Sequence, residues 1–391
     1  MSEDEARKQG SGSTAATRGE RREVVCGVCA AALTLLAWLS VVAAAQAASE
    51  ETAAADATGP AEQRNSPWLL VPMVSSDPKL GTSLGALAAY LHKFDPVSSA
   101  SMFGAGGTYT STHSKIGAMF ARTYFGKDHH RLTVFAGGGQ INNDYEDFLG
   151  TGFPLSSEDH LKAFAVRYLY RGYGDWFIGA QAISTNYQIV ATDALGGEFL
   201  NAIGLTGFDS VALGALLQYD SRDDQNSPSR GWFLDANNLA YREGLGGSVS
   251  FDSYRLKLQY YWPHGAGHVL ASRLNNQWTE DAPLAGYASI KLRGYTMGQY
   301  LGQYMSSFEL DERLRFGERW GATLYAGIAC LYGDGLNGNR MQCDASDNVY
   351  TSVAAGLYYV LKPVEKIVAT LEYADGEGEN RGVYLRFGWG F

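Results

Sequence analysis

From Trp68 to Phe391 the chain alternates with period two in sixteen segments, and in the clearest of them one face carries charge while the other carries large apolar side chains. Ser307, Glu309, Asp311, Arg313 and Arg315 alternate with Phe308, Leu310, Leu314 and Phe316, with Glu312 the one exception. Ser253, Arg255, Lys257 and Gln259 oppose Tyr254, Leu256, Leu258, Tyr260 and Trp262. Successive side chains of a strand point to opposite faces, so each segment reads as a strand with one wet and one oily face. A soluble sandwich and a membrane barrel both use such strands. An apolar face rich in Leu, Tyr, Trp and Phe, opposed to several charges, is the lipid-out, water-in pattern. The fold class expected is all-β, a transmembrane antiparallel barrel of sixteen strands.

The segments begin near Trp68, Leu80, Ser101, Lys115, His130, Leu161, Trp176, Val211, Gly231, Val249, His268, Ser306, Trp320, Tyr350, Ile367 and Gly382. That allows ~20 residues per strand plus connection, enough to cross a bilayer. Connections alternate in length. Short ones include Phe94–Ala100, Gly126–His129, Gly172–Asp175, Gly265–Gly267 and Gly317–Arg319. Long ones include Asn142–His160, Ile189–Asp209, Glu280–Met305 and Asp334–Asn348. With the first strand running outward, every long link falls on the outer side and the last strand ends in the periplasm. The first four segments are weakly patterned. The first, Trp68–Val74, is interrupted by Pro72, which lacks a ladder donor, so its seam with Gly382–Phe391 should be poorly paired.

The composition agrees with strands: 47 Gly and 13% aromatic residues, 24 of them Tyr, suit closely packed strands and interfacial belts rather than helices. After residue 50 no run of roughly 18 apolar residues occurs, so no membrane helix is expected there. A net charge of -10 argues against a nucleic-acid partner.

Residues 1–47 read as a signal peptide. Arg18, Arg21 and Arg22 precede the apolar run 24–45, and Ala45-Gln46-Ala47 offers a cleavage site. The acidic stretch before Arg18 suggests a start codon further downstream; an uncleaved anchor is the rival reading. Cys26 and Cys29 lie in the apolar run and leave with it. Residues 48–66 read as a flexible periplasmic tail, and 67–391 as the barrel. Cys330 and Cys343 remain, most simply as a disulfide in an exported protein, otherwise as two free thiols.

Three motifs together resemble the BamA/TamA/FhaC superfamily, also called the bacterial surface antigen family, over about residues 67–391. Leu292-Arg293-Gly294-Tyr295 lies in the long link before the twelfth segment. Tyr219-Asp220-Ser221-Arg222-Asp223 with Pro228-Ser229-Arg230-Gly231 spans the turn after the eighth. The terminal Val383-Tyr384-Leu385-Arg386-Phe387-Gly388-Trp389-Gly390-Phe391 matches the aromatic assembly signal, with Tyr384, Gly388, Trp389 and Phe391 as its key positions. The resemblance implies that the long outer loop carrying Arg293, Gly294 and Tyr295 folds into the lumen, with Arg293 paired to acidic residues of the inner wall. Glu309 and Asp311 are the candidates. On the residues alone, Arg293 is a loop arginine in water. The family's thirteenth strand usually carries F-x-D-x-G. Here it reads Leu324-Tyr325-Ala326-Gly327-Ile328-Ala329, so any pair should rest on the twelfth strand alone. Family members usually carry POTRA domains ahead of the barrel; the residues between Ala48 and Trp68 hold none, which resembles the POTRA-less branch.

Gly81-Thr82-Ser83-Leu84-Gly85 matches a nucleophile elbow but sits in a strand segment, so no enzyme activity is expected. His129 and His130 lack further ligands, and Asp334-Gly335-Leu336-Asn337-Gly338-Asn339 lacks a bidentate Glu, so neither a metal nor another cofactor is expected. The function implied is transport or insertion across the outer membrane of a Gram-negative bacterium. The alternatives are a passive small-solute pore and a structural or lipid-organising protein acting as an oligomer. The partners implied are outer-membrane lipids and lipopolysaccharide, the barrel-assembly machinery for its own insertion, and a possible second copy.

Overall fold

A computed structural model describes residues 66–391 except 78–80, 146–154, 194–196, 199, 201–206, 226, 296–297, 336–339, 344–345, 364–365, 379 and 388–391. The expected leader and nearly all of the expected tail therefore lie outside the described residues.

Sixteen long strands form one sheet. They are β1 (Trp68–Asp77), β2 (Gly81–His92), β3 (Ser101–Thr110), β4 (Lys115–Phe125), β5 (His130–Tyr145), β6 (Leu155–Tyr173), β7 (Trp176–Ala191) and β8 (Gly207–Asp220) in the first half. The second half holds β9 (Gly231–Tyr241), β10 (Phe251–His264), β11 (His268–Glu280), β12 (Tyr304–Arg315), β13 (Trp320–Asp334), β14 (Val349–Lys362), β15 (Ile367–Gly376) and β16 (Arg381–Phe387). Each pairs antiparallel with the next, and β1 also pairs with β16, so the sheet closes into a barrel. Closure removes the exposed edges that a lipid environment would leave without hydrogen bonds.

The burial is inverted relative to a soluble protein. On β12, Glu309, Asp311 and Arg313 are 0%, 1% and 3% exposed, while Phe308 and Leu310 on the opposite face are exposed. Leu70, Leu84, Met119, Ile178 and Leu324 likewise point outward from strands around the ring. Apolar groups outside and charges inside are stable only where the outer solvent is hydrocarbon.

With an even number of antiparallel strands, β1 begins and β16 ends at one end of the barrel. That turn end holds the links 93–100, 126–129, 174–175, 221–230, 265–267, 316–319 and 363–366; the opposite, loop end holds the three longest, 192–206, 281–303 and 335–348, but also short ones such as 111–114, and 221–230 at the turn end is longer than expected there. Strand ladders run further toward the loop end than hydrophobic alternation indicates. β5 and β6 pair as far as Asn142↔Glu158, Asn143↔Ser157, Asp144↔Ser156 and Tyr145↔Leu155. The link expected over Asn142–His160 is thus confined to 146–154, and β6 begins at Leu155 rather than Leu161. A ladder is made by the backbone, so it continues past the apolar band where the side chains turn polar. β7 and β8 likewise extend to Ala191 and back from Gly207.

The closing seam is the weakest ladder. β1 pairs with β2 from Trp68↔Tyr90 to Asp77↔Gly81, but among the described residues it meets β16 only at Ser75↔Tyr384 and Ser76↔Val383.

Candidate functional site

The link 281–303 between β11 and β12 turns into the lumen. Ala288–Ser289 pairs with Leu301–Gly302, a short ladder that narrows the loop and carries residues 290–295 beyond it. Ile290, Leu292 and Tyr295 are buried against Met305, Ala329, Leu331 and Tyr350 of the barrel wall. This apolar packing explains why the segment leaves water despite carrying an arginine.

Arg293 is 6% exposed and sits between the walls of several strands. Its guanidinium forms ion pairs with Asp311 of β12 and Glu372 of β15. The face of the guanidinium lies 4.1 Å from the ring centre of Tyr325 on β13. Two carboxylates and one aromatic face satisfy a buried cation that would otherwise cost several kcal/mol. The backbone is held as well. Ser352 Oγ on β14 donates to the Arg293 carbonyl, and Gly294 N–H donates to Tyr384 Oη on β16 at 3.2 Å. Tyr295 Oη donates to the Thr351 carbonyl at 2.9 Å and accepts from Glu377 N–H at 3.0 Å. Gly294 has φ +92°, and a Cβ there would stand 2.9 Å from the Asn380 carbonyl oxygen, so the position requires glycine.

Of the two acidic partners expected, Asp311 meets Arg293. Glu309, 0% exposed, is bonded by Arg273 Nε at 2.9 Å, Asn275 Nδ2 at 2.9 Å and Tyr325 Oη at 2.9 Å. Tyr325 therefore links the two clusters, its ring under Arg293 and its hydroxyl on Glu309. The expectation that the pair would rest on the twelfth strand alone is corrected: Glu372 supplies a second carboxylate from β15, where Arg386 of β16 also approaches it at 3.3 Å. Glu372 is a lone carboxylate in the apolar segment Ile367–Tyr373, and that isolation was the available signal for it.

The turn motif lies in 220–231. Asp220 is buried and accepts from Arg131 Nη1 at 2.6 Å and from Arg222 Nε at 2.7 Å. Asp223 accepts from Ser229 N–H at 2.8 Å and Arg230 N–H at 3.1 Å. Partial burial pushes the Asp223 carboxyl up, but those hydrogen bonds outweigh it and hold the group below the usual carboxylate range. Gly231 has φ +113°, and a Cβ would strike the Ser221 carbonyl. From the turn, the Pro228 carbonyl accepts from Arg313 Nη1 of β12 at 2.9 Å, and Asp224 meets Lys366 at 3.3 Å. The turn thus folds across the turn-end mouth toward the far wall. At the loop end, Cys330 of β13 and Cys343 are joined by a disulfide, Cα–Cα 5.6 Å, which ties the link 335–348 back to its strand. Of the expected assembly signal, Tyr384 faces the lumen loop, while Gly388, Trp389 and Phe391 lie outside the described residues. Ser83 and its flanking glycines lie within β2, with no helix after them.

A closed sixteen-stranded barrel with apolar groups outside, charges inside and a loop locked in its lumen defines the outer-membrane type of β-barrel. Residues 99–285 match the Omp85 superfamily domain. Among solved structures, the chain is similar to BamA from Haemophilus ducreyi lacking POTRA domains 1–3, with TM-score 0.52 and 12% identity over 83% of this chain and 70% of that one. It is similar to CdiB from Acinetobacter baumannii, TM-score 0.55 and 10% identity over 82% and 59%. It is also similar to CdiB from Escherichia coli, TM-score 0.57 and 12% identity over 85% and 66%. The resemblance to the BamA/TamA/FhaC superfamily thus holds in a matched domain and in the fold. The chain spans between 59% and 70% of those chains' length. No individually curated protein matches it in sequence.

Proposed function

We propose that the protein is a plugged translocation or insertion barrel of a Gram-negative outer membrane, in which the loop carrying Arg293, Gly294 and Tyr295 holds the lumen shut and the β1–β16 seam yields. The supporting observation is one of position. The loop is bonded to β12, β13, β14, β15 and β16 through Asp311, Tyr325, Ser352, Glu372 and Tyr384, and so reaches the closing strand itself. Among the described residues that strand is joined to β1 by two residue pairs. Outer-membrane lipids and lipopolysaccharide surround the apolar belt, and the barrel-assembly machinery inserts the chain.

Single-channel conductance of the refolded barrel tests this reading. The wild type should be nearly closed and Arg293→Ala should open steadily. A disulfide across Ser76→Cys and Val383→Cys should abolish any large transient openings of the wild type. Equal conductance of wild type and Arg293→Ala would leave a passive pore or a structural role as the better account.

A further inference from the structure

Beside the docked loop the lumen encloses a chamber of about 830 Å³ whose walls differ sharply in chemistry. Lys291 and Met305 line it on the side of the loop, and Gln225 and Pro228 of the 221–230 turn line it at the turn end. Eight of its lining residues are cationic and one, Asp235, is acidic. Part of this charge is already matched. Arg131 and Arg222 hold Asp220, Arg167 holds Asp235, and Arg273 holds Glu309. Arg122, Arg255, Lys257 and Lys291 remain without a carboxylate partner among the described residues.

These four are exposed to the lumen rather than buried. Arg255 stands opposite Gln277 in the ladder, and Lys291 Nζ donates to Gln277 Oε1 at 2.9 Å, which brings the loop ammonium beside the strand guanidinium. Lys257 is two residues along the same face. Like charges gathered in a confined space repel one another, and an anion relieves that repulsion. The neighbouring Asn237 and Asn275 amides are spent on Asp235 and Glu309, while Gln277, which accepts from Lys291 through its oxygen, presents its amide nitrogen to the same space.

The remaining wall is apolar. Leu69, Leu87, Met102 and Phe120 of β1 to β4 line it, with Ile367 of β15 beside them. Leu69, Val71, Ala89, Leu91 and Ile367 form a buried cluster on this inner face. A purely aqueous channel has no use for such a wall. A chamber of this size, oily on one side and carrying convergent polar groups on the other, has the dimensions of a small-ligand site.

We propose that the chamber binds an amphipathic anion, with its phosphate or carboxylate group at Arg255, Lys257 and Lys291 and its hydrocarbon part against Leu69, Leu87 and Met102. Guanidinium and ammonium groups together suit a phosphate head, and the Gln277 amide beside Lys291 accommodates a polar substituent. The inference goes beyond the gating reading but rests on its seated loop for Lys291, whereas Arg255, Lys257 and the apolar wall belong to the barrel strands themselves.

The test uses the full barrel in neutral phosphatidylcholine nanodiscs, with calorimetric titration of hexyl phosphate, inorganic phosphate and hexyl glucoside against empty discs. Hexyl phosphate should bind roughly tenfold or more tighter than either single-feature probe, since each buried methylene adds about fourfold. Arg255→Gln with Lys257→Gln, both exposed and without side-chain hydrogen bonds among the described residues, should weaken hexyl phosphate at least about tenfold and leave hexyl glucoside unchanged. Leu87→Gln should weaken hexyl phosphate alone. Equal binding of hexyl phosphate and hexyl glucoside, or an undiminished double variant, overturns the anion site. Equal binding of hexyl phosphate and inorganic phosphate overturns the apolar half. Discs that contain phosphatidic acid separate the two sources: competition assigns the site to a bilayer lipid, and undisturbed binding assigns it to a soluble amphiphile.

Discussion

Replacing Arg293 by Met should destabilise the barrel more than replacing Arg293 and Asp311 together. In the single variant, Asp311 keeps its charge at 2% side-chain exposure and loses the guanidinium that bonds it. Glu372 is better placed, because Arg386 stays within 3.3 Å. Leaving one partner of a buried pair costs about 3–5 kcal/mol. In Arg293→Met with Asp311→Asn the abandoned charge is gone. What is then lost is the aromatic contact to Tyr325 and neutral hydrogen bonding, together about 1–2 kcal/mol. The double variant should therefore recover about 2 kcal/mol. Urea unfolding in neutral lipid vesicles, followed by tryptophan fluorescence, measures both against wild type. If the double variant is as unstable as the single one or worse, the cost does not come from an orphaned carboxylate, and the ion-pair account of the lock is wrong.

Gly294→Ala should release the loop without touching a charge, because φ +92° and the Asn380 carbonyl both exclude a side chain; steady conductance like that of Arg293→Ala is the expected readout. Replacing Cys330 and Cys343 by Ser opens a cross-link with a sequence separation of 13, and the unfolding free energy should fall by about 3 kcal/mol with the channel still closed. Asp95, in the link 93–100, accepts from Ser98 Oγ at 2.7 Å and from the N–H groups of Ser98 and Lys127 at 2.8 and 3.0 Å, and these bonds hold its carboxyl down to about 2. A lowered folded value means the tie between the two turns is fully present above the ordinary value of 3.8 and is lost as pH falls through about 2; the Lys127 amide resonance should report that midpoint, and Asp95→Asn should remove it. Pro72→Val should restore a backbone donor to β1 and slow hydrogen exchange in Leu385–Phe387; unchanged exchange would clear Pro72 of weakening the seam.

Much of this barrel was legible because charge and hydrophobicity alternate on β10, β12 and the late strands, and because link lengths alternate with them. Arg293 and Asp311 could be paired by motif and face. Glu372 could not, since it comes from β15, three strands along the ring, and Tyr325, although directly opposite Asp311 on β13, carries no charge to mark it; no local period reports which lumen residues converge. Strand lengths were misread at β5 to β8, where Asn142, Asn143 and Asp144 end the hydrophobic period but not the ladder. The weak pattern of the first four segments has a physical cause. Leu69 and Val71 face inward and are buried, while Leu70 and Val74 face outward and are exposed, so β1 is apolar on both faces and shows little alternation.

That two-sided apolarity bears on where such a barrel can open. Separating two strands in hydrocarbon leaves backbone groups without partners, at several kcal/mol each. If the register of Ser75↔Tyr384 continued, Val74, Met73 and Pro72 would face Leu385, Arg386 and Phe387; among the described residues those pairs are absent, so their cost is already met in the closed state. Neighbouring ladders run unbroken, from Trp68↔Tyr90 to Asp77↔Gly81 on one side and from Ala369↔Phe387 to Asp375↔Arg381 on the other. Opening also turns an inner face toward lipid. At β1 and β2 that face is Leu69, Val71, Ala89 and Leu91, which hydrocarbon accepts. At β11 and β12 it is Arg273, Glu309 and Asp311, which hydrocarbon rejects. On the β16 side the inner face carries Arg386 beside Glu372, so opening there still exposes charge; the short ladder is what makes the β1–β16 seam an easy line along which this barrel can part.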